Sequence, residues 1–101
     1  TGNTLSKLAC NIVDTPAVMA VKSHLRNSGS VVLCIATNDA LSGSAKNIGM
    51  LMNNRNYYFV PFSQDDYIKK PTSAVADFEK IPETILYALD KKQIQPLLYP
   101  L

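Results

Sequence analysis

The 101-residue sequence has no tryptophan, one histidine, two cysteines and four glycines, and each scarcity closes off a class of function. Its glycines (Gly2, Gly29, Gly43 and Gly49) form neither a GxGxxG turn nor a P-loop, so a dinucleotide or nucleoside-triphosphate fingerprint is excluded within this stretch. His24 is the single imidazole, and no cysteine or carboxylate stands at metal-ligand spacing from it; no metal site is expected. Cys10 and Cys34 fall in apolar segments, which argues for two small buried hydrophobes, no disulfide and a reducing, cytoplasmic setting. The longest apolar run, Val31 to Ala36, is far too short to span a membrane. There is no initiator Met and no charged segment followed by an apolar one at the start, so no secretory signal is expected here. Ten basic against eight acidic residues leave a net charge of +2 with no dense basic cluster. Neither a nucleic-acid nor a membrane partner is expected.

At 47% hydrophobic and 18% charged residues, the composition is that of a globular domain. Apolar residues at Leu5, Leu8 and Ile12 predict a first helix capped by Asn3 or Thr4 and closed by Asp14-Thr15-Pro16. Ala17 to Val21 reads as a short buried strand, followed by a polar stretch from Lys22 to Asn27 and a turn at Asn27-Ser28-Gly29-Ser30. Val31 to Ala36, apolar without alternation, predicts a strand buried on both faces. Ala45, Ile48, Leu51 and Met52 mark a helix ended by Asn53 to Asn56, and Tyr57 to Phe62 reads as an aromatic-rich third strand. Ser63 to Thr72 reads as a polar loop. A last helix opens at Pro82 with Ile85, Leu86 and Leu89 as its buried stripe, and Gln93 to Leu101 is an extended tail. Alternating helices and strands predict an α/β domain with a parallel sheet. Three strands are few for that architecture, so residues 1–101 are expected to be one partial domain, with further strands upstream of Thr1.

Ligands in open α/β sheets bind beyond the carboxyl ends of the strands. On this reading four polar stretches gather there: Thr1 to Thr4, Lys22 to Asn27, Thr37 to Asp39, and Ser63 to Pro71. They offer the amides of Asn3, Asn27, Asn38 and Gln64, the hydroxyls of Thr1, Thr4, Thr37 and Ser63, and the cations Lys22, Arg26, Lys69 and Lys70. That set suits a heteroaromatic ring bearing carboxylate or phosphate groups, although the same residue types also serve as ordinary turns and caps. His24, between two cations, is the candidate acid or base, or else a hydrogen-bonded loop residue. Asp65-Asp66 reads as a solvated pair, since adjacent side chains diverge. Buried in a strand, Cys34 makes a poor nucleophile.

Two patterns go beyond a generic α/β chain. Asn3-Thr4-x-x-Lys7-x-Ala9, with Asp14 beyond, resembles a segment of the homo-oligomeric flavin-containing Cys decarboxylases. A longer ordered series is similar to the flavoprotein-like B subunits of dipicolinate synthases. It comprises Thr1-Gly2-Asn3-Thr4, Lys22 to Asn27, Thr37-Asn38-Asp39-Ala40-Leu41, Lys46-Asn47-Ile48, Tyr58 to Asp65, Lys70-Pro71 and Gln93 to Pro96. The resemblance implies the C-terminal half of a flavodoxin-like, Rossmann-like sheet with flanking helices, in a homo-oligomer. It also implies a sporulation oxidoreductase of the mother-cell cytoplasm, oxidising a dihydrodipicolinate-type substrate to pyridine-2,6-dicarboxylate with a nicotinamide-binding A subunit. FMN would lie against Thr1, Gly2, Asn3, Thr4, Thr37 and Asn38, with NAD(P) on the partner. Lys22, Arg26, Asn27, Gln64 and Lys70 would face the dicarboxylate, and His24 would be catalytic. A non-catalytic scaffold of the same fold is the alternative. The decarboxylases' Pro-Ala-Met-Asn clamp is replaced by Met19-Ala20-Val21-Lys22, so decarboxylation is not expected. Ser42 and Ser63 stand where glycine is expected.

Overall fold

A computed structural model describes residues 1–99; Pro100 and Leu101, the end of the expected tail, lie outside the described residues. Helix α1 (Gly2–Cys10) starts two or three residues earlier than a cap at Asn3 or Thr4 would place it, because Thr1 is the cap and its hydroxyl accepts from the Thr4 amide. Asn11, in the left-handed region at φ 57°, closes it, which leaves Ile12 outside the helix and exposed.

Pro16–Arg26 is a second helix, α2, and not the expected strand. Thr15 in extended conformation accepts from the Val18 amide, and Pro16 occupies the first turn, where its missing N–H is harmless. Val18, Val21 and Leu25 form the inward stripe at helical spacing, whereas Met19 is exposed.

Two parallel strands, β1 (Val31–Leu33) and β3 (Tyr57–Phe59), pair Val31 with Tyr57 and Leu33 with Phe59. Helix α3 (Ala45–Met52) connects their ends, as the spacing predicts, and buries Ile48 and Leu51. Each predicted long strand is in fact interrupted. Beyond Cys34-Ile35 the first continues as β2 (Ala36–Thr37), and beyond Val60-Pro61 the second continues as β4 (Phe62–Ser63). Pro61 has no N–H for the ladder, and at this point the two chains part. A strand absent from the sequence reading, β5 (Ala74–Ala76), fills the gap. It runs antiparallel to both neighbours, pairing Thr37 with Ala74 and Ser63 with Val75 in the order β2-β5-β4. Neither Ser42 nor Ser63 has a positive φ, so serine costs neither loop anything.

The core joins Leu5 and Leu8 of α1, Val18 of α2, and Ile48 and Leu51 of α3 to Val31, Tyr57 and Phe59 of the parallel pair. Helix α4 (Ile81–Leu89), after a 3-10 turn at Phe78–Lys80, packs on β1 and β3. Its buried face is Thr84 and Ala88; Ile85, Leu86 and Leu89 of the expected stripe are 43%, 67% and 71% exposed. Small side chains let the helix axis come close to the sheet, and the Thr84 hydroxyl is satisfied by donating to the Lys80 carbonyl at 2.6 Å. The extended tail follows β4, with Phe62 and Leu97 and Tyr99 and Phe62 joined through their backbones. Gln93 caps the outer side of β3: its amide oxygen accepts from the Phe59 N–H at 2.7 Å and its NH2 donates to the Phe59 carbonyl at 2.6 Å.

Both cysteines are exposed, contrary to expectation. Cys34 sits where β1 breaks, at the surface, although partial desolvation of its sulfur still pushes the thiol up. No helix among the described residues is long and apolar enough to cross a membrane.

Candidate functional site

The splayed carboxyl ends of β1 and β3, wedged by β5, create a polar cavity of about 360 Å³. Thr37 and Asn38 line it on one side, Ser73, Ala74 and Val75 on another, and Asp65 closes it. Pocket-lining amides and hydroxyls at strand ends suit a small polar ligand.

Asp39 organises the turn behind Thr37. Through Oδ1 it accepts from the Thr37 hydroxyl at 2.6 Å and from the Ser44 hydroxyl at 2.8 Å, and its carbonyl accepts from the amides of Ser42 and Ser44. These hydrogen bonds, Thr37's first, hold the carboxyl below its usual range. Gly2 is pressed against the same group. A Cβ there would lie 2.8 Å from Ser44 Oγ, 3.0 Å from Asp39 Oδ1 and 3.2 Å from Thr37 Oγ1. The absent side chain at Gly2 therefore brings the start of α1, with exposed Thr1, Asn3 and Thr4, alongside the strand end.

Asn38 joins the second wall. Its carbonyl accepts from the Thr72 hydroxyl at 2.7 Å, and its side-chain oxygen stands 3.5 Å from the Ser73 hydroxyl. Ser73 also faces Asp65, and this contact is the main reason the Asp65 carboxyl is held below the usual carboxylate range, with the nearby Lys70 charge adding to it. The hydroxyl has one proton to give, and Asn38 Oδ1 and the Asp65 carboxylate compete for it. Gln64 braces the loop by donating to the Pro71 carbonyl at 2.9 Å. Asp66 shapes its tip by accepting from the Lys69 and Lys70 amides.

Of the residues expected at the site, Thr37 and Asn38 line the cavity and Gly2 packs against Thr37 and Asp39; Lys70 lies near Asp65, and Gln64 lines a separate hollow with Leu41 and Leu98. The sequence reading missed Ser73, which lines the cavity, and Ser44, which with Thr37 is held by Asp39; Asp39 itself fell in the Thr37 to Asp39 stretch but had no role there. The Thr37-x-Asp39 spacing after an apolar strand was the available signal, since a carboxylate there can gather turn hydroxyls. Asp65 is a lining residue, and not merely a solvated loop acid.

The Lys22 to Asn27 stretch is elsewhere. As the last turns of α2 it lies just before the start of β1, at the amino ends of the parallel strands. Lys22 borders a cavity of about 70 Å³ with Asn11 and Tyr57. Exposed His24 packs its ring over Gly29, where a Cβ would collide with it, and Asn27 donates from its side chain to the Ser23 carbonyl at 3.3 Å. Arg26 sits in the final helical turn. Reading Ala17 to Val21 as a strand had put all four at the opposite edge. Among the described residues no group of His, Cys, Asp and Glu is arranged to hold a metal ion.

No protein-family model matches the chain. It is 49% identical over 98 residues to the dipicolinate synthase B subunit of Bacillus subtilis (strain 168), a match covering 97% of this chain and 49% of that protein. The crystal structure of the dipicolinate synthase B subunit from Bacillus halodurans C superposes with a TM-score of 0.96 at 47% identity, covering 98% of this chain and 51% of that one. The chain therefore spans about half the length of the relatives it matches. In sequence and in fold it is a relative of the dipicolinate synthase B subunits, matched along nearly its whole length.

Proposed function

We propose that the carboxyl-edge cavity is the ligand-binding part of a dipicolinate synthase B-type subunit. It would take a flavin, FMN, together with a pyridine-dicarboxylate precursor. The cavity wall of Thr37, Asn38, Asp65 and Ser73, with Thr37 held by Asp39 and the start of α1 packed against that pair at Gly2, carries this reading.

The donor set fits the group. Neutral amides and hydroxyls at Asn3, Thr4, Thr37 and Asn38 match the alternating carbonyl and N–H edge of an isoalloxazine. Bound flavin supplies a two-electron redox centre, and NAD(P) would be held by the nicotinamide-binding partner. Lys70 offers an ammonium to a ligand carboxylate, and Gln64 holds the loop that carries it. Asp65, kept ionised by Ser73, accepts from a ligand N–H or O–H. Both carboxyls of the site are pulled toward ionisation, so neither is a ready proton donor at neutral pH. That observation favours a second reading, in which this chain holds and orients the ligand while proton transfer happens on the partner. His24 has no place in either.

Dipicolinate formation by the full-length protein with its nicotinamide-binding partner tests the proposal. Asn38→Ala and Lys70→Ala should each lower turnover about tenfold or more through lost hydrogen-bonded contacts, and His24→Ala should leave it within about twofold. Turnover that survives both site variants, with assembly intact, leaves only a scaffold.

A further inference from the structure

Large cavities also lie at the other edge of the sheet, where β1 and β3 begin. Two adjoining hollows of about 430 and 470 Å³ share Arg55, Asn56, Tyr58 and Lys91 in their walls. Pockets for small organic ligands are of this size. The only charged residues lining either hollow are Arg55 and Lys91; no carboxylate does.

Neither cation has an acidic partner among the described residues. Lys91 is fixed in place, donating to the Ser28 carbonyl at 2.8 Å, the Ser30 hydroxyl at 3.0 Å and the Asn56 side-chain oxygen at 3.1 Å. All three acceptors are neutral, so the positive charge is anchored but not paired. The neighbouring Asp90 is engaged with Lys92 at 3.4 Å. Arg55 makes no ion pair or hydrogen bond among the described residues, and its fork of N–H donors stands open.

Tyr58 supplies an independent observation. Strand alternation turns it away from Tyr57 and Phe59, so it lies outside the main core although only 8% exposed. Its hydroxyl has no hydrogen-bond partner among the described residues. Every fully buried polar side-chain atom described is paired, so this oxygen is open to the cavity it lines. A buried phenol that keeps an unused donor beside an open guanidinium and an anchored ammonium is arranged for an oxyanion. Met52, Phe59 and Leu97 give the adjoining hollow apolar lining.

We propose that the Arg55–Asn56–Tyr58–Lys91 cavity at the amino edge of the sheet binds a small organic anion, with a carboxylate or phosphate head on an apolar body. Arg55 and the Tyr58 hydroxyl hydrogen-bond the head, Lys91 contributes charge, and the body lies toward Met52 and Leu97. The site is separate from the carboxyl-edge cavity and does not depend on the flavin reading.

Calorimetric titration of the full chain with phenyl phosphate and with inorganic phosphate tests this. Phenyl phosphate should bind more tightly than inorganic phosphate, and added salt should weaken both. Arg55→Gln, at an exposed position that does not threaten folding, should weaken binding about tenfold or more. Tyr58→Phe, which keeps the ring, should weaken it about threefold. Asn38→Ala, at the opposite edge and outside both hollows, should leave the affinity for phenyl phosphate as it is in the parent chain. No binding of phenyl phosphate, equal binding by Arg55→Gln and the parent chain, or loss of binding in Asn38→Ala would each overturn the assignment.

Discussion

Asp39 gathers two hydroxyls on one carboxylate oxygen and two amides on its carbonyl, and Gly2 lets α1 rest against the result. Two expectations follow at this scale. A methyl at Gly2 gains helix propensity of at most about 1 kcal/mol, and less at a first helical position. Displacing Ser44 from Asp39 costs more, so Gly2→Ala should lose about 1–2 kcal/mol in a denaturant melt. The second concerns pH. Asp39 ionises more readily folded than unfolded, so its hydrogen bonds stabilise the chain above the unfolded value of about 4. That contribution disappears as pH falls through the lower folded value. Asp39→Asn, which keeps an oxygen acceptor, should flatten the decline in stability as pH falls below about 4. Asp65, lowered in the same direction, leaves a residual slope. A decline as steep as that of the parent chain would show that Asp39 is not the acid-sensitive group. The sequence made Thr37 and Asn38 legible because they follow a clear apolar strand. Ser44 and Ser73 were not, because their role depends on which hydroxyls the fold carries to a carboxylate.

Among the elements, α1 and α3 were legible from periodicity, although the cap of α1 is Thr1 and not Asn3 or Thr4. Helix α2 was not, since the unbroken run Ala17 to Val21 reads equally well as a strand; Thr15 and Pro16 were the deciding signals. Strand β5 is only three residues long and forms because β2 and β4 leave a gap that it alone fills. In α4 the largest apolar side chains misled: burial goes to Thr84 and Ala88, because a close approach to β1 and β3 demands small residues. Ala88→Leu should therefore cost about 1–3 kcal/mol by overpacking. Leu86→Ala, at an exposed position, should stay within about 0.5 kcal/mol. Thermal unfolding of the two variants in this chain decides the matter, and the reverse order would restore the Leu86 stripe.

At the scale of the whole molecule the two edges of the parallel pair have opposite characters. The carboxyl edge carries neutral donors and two ionised carboxyls with Lys70; the amino edge carries Arg55 and Lys91 without a carboxylate. Topology sets which polar stretch reaches which edge. Taking Ala17 to Val21 as a strand sends His24, Lys22, Arg26 and Asn27 to the wrong end, and a helix there returns them to the start of β1. The division between edges is most directly tested by titrating FMN into the full-length protein while following the flavin absorbance. The parent protein and His24→Ala should bind alike, and Asn38→Ala should bind about tenfold more weakly or worse, as expected for a lost pair of hydrogen bonds to a buried ring. No flavin binding by the parent protein, or a loss in His24→Ala as large as in Asn38→Ala, would contradict a ligand site at the carboxyl edge.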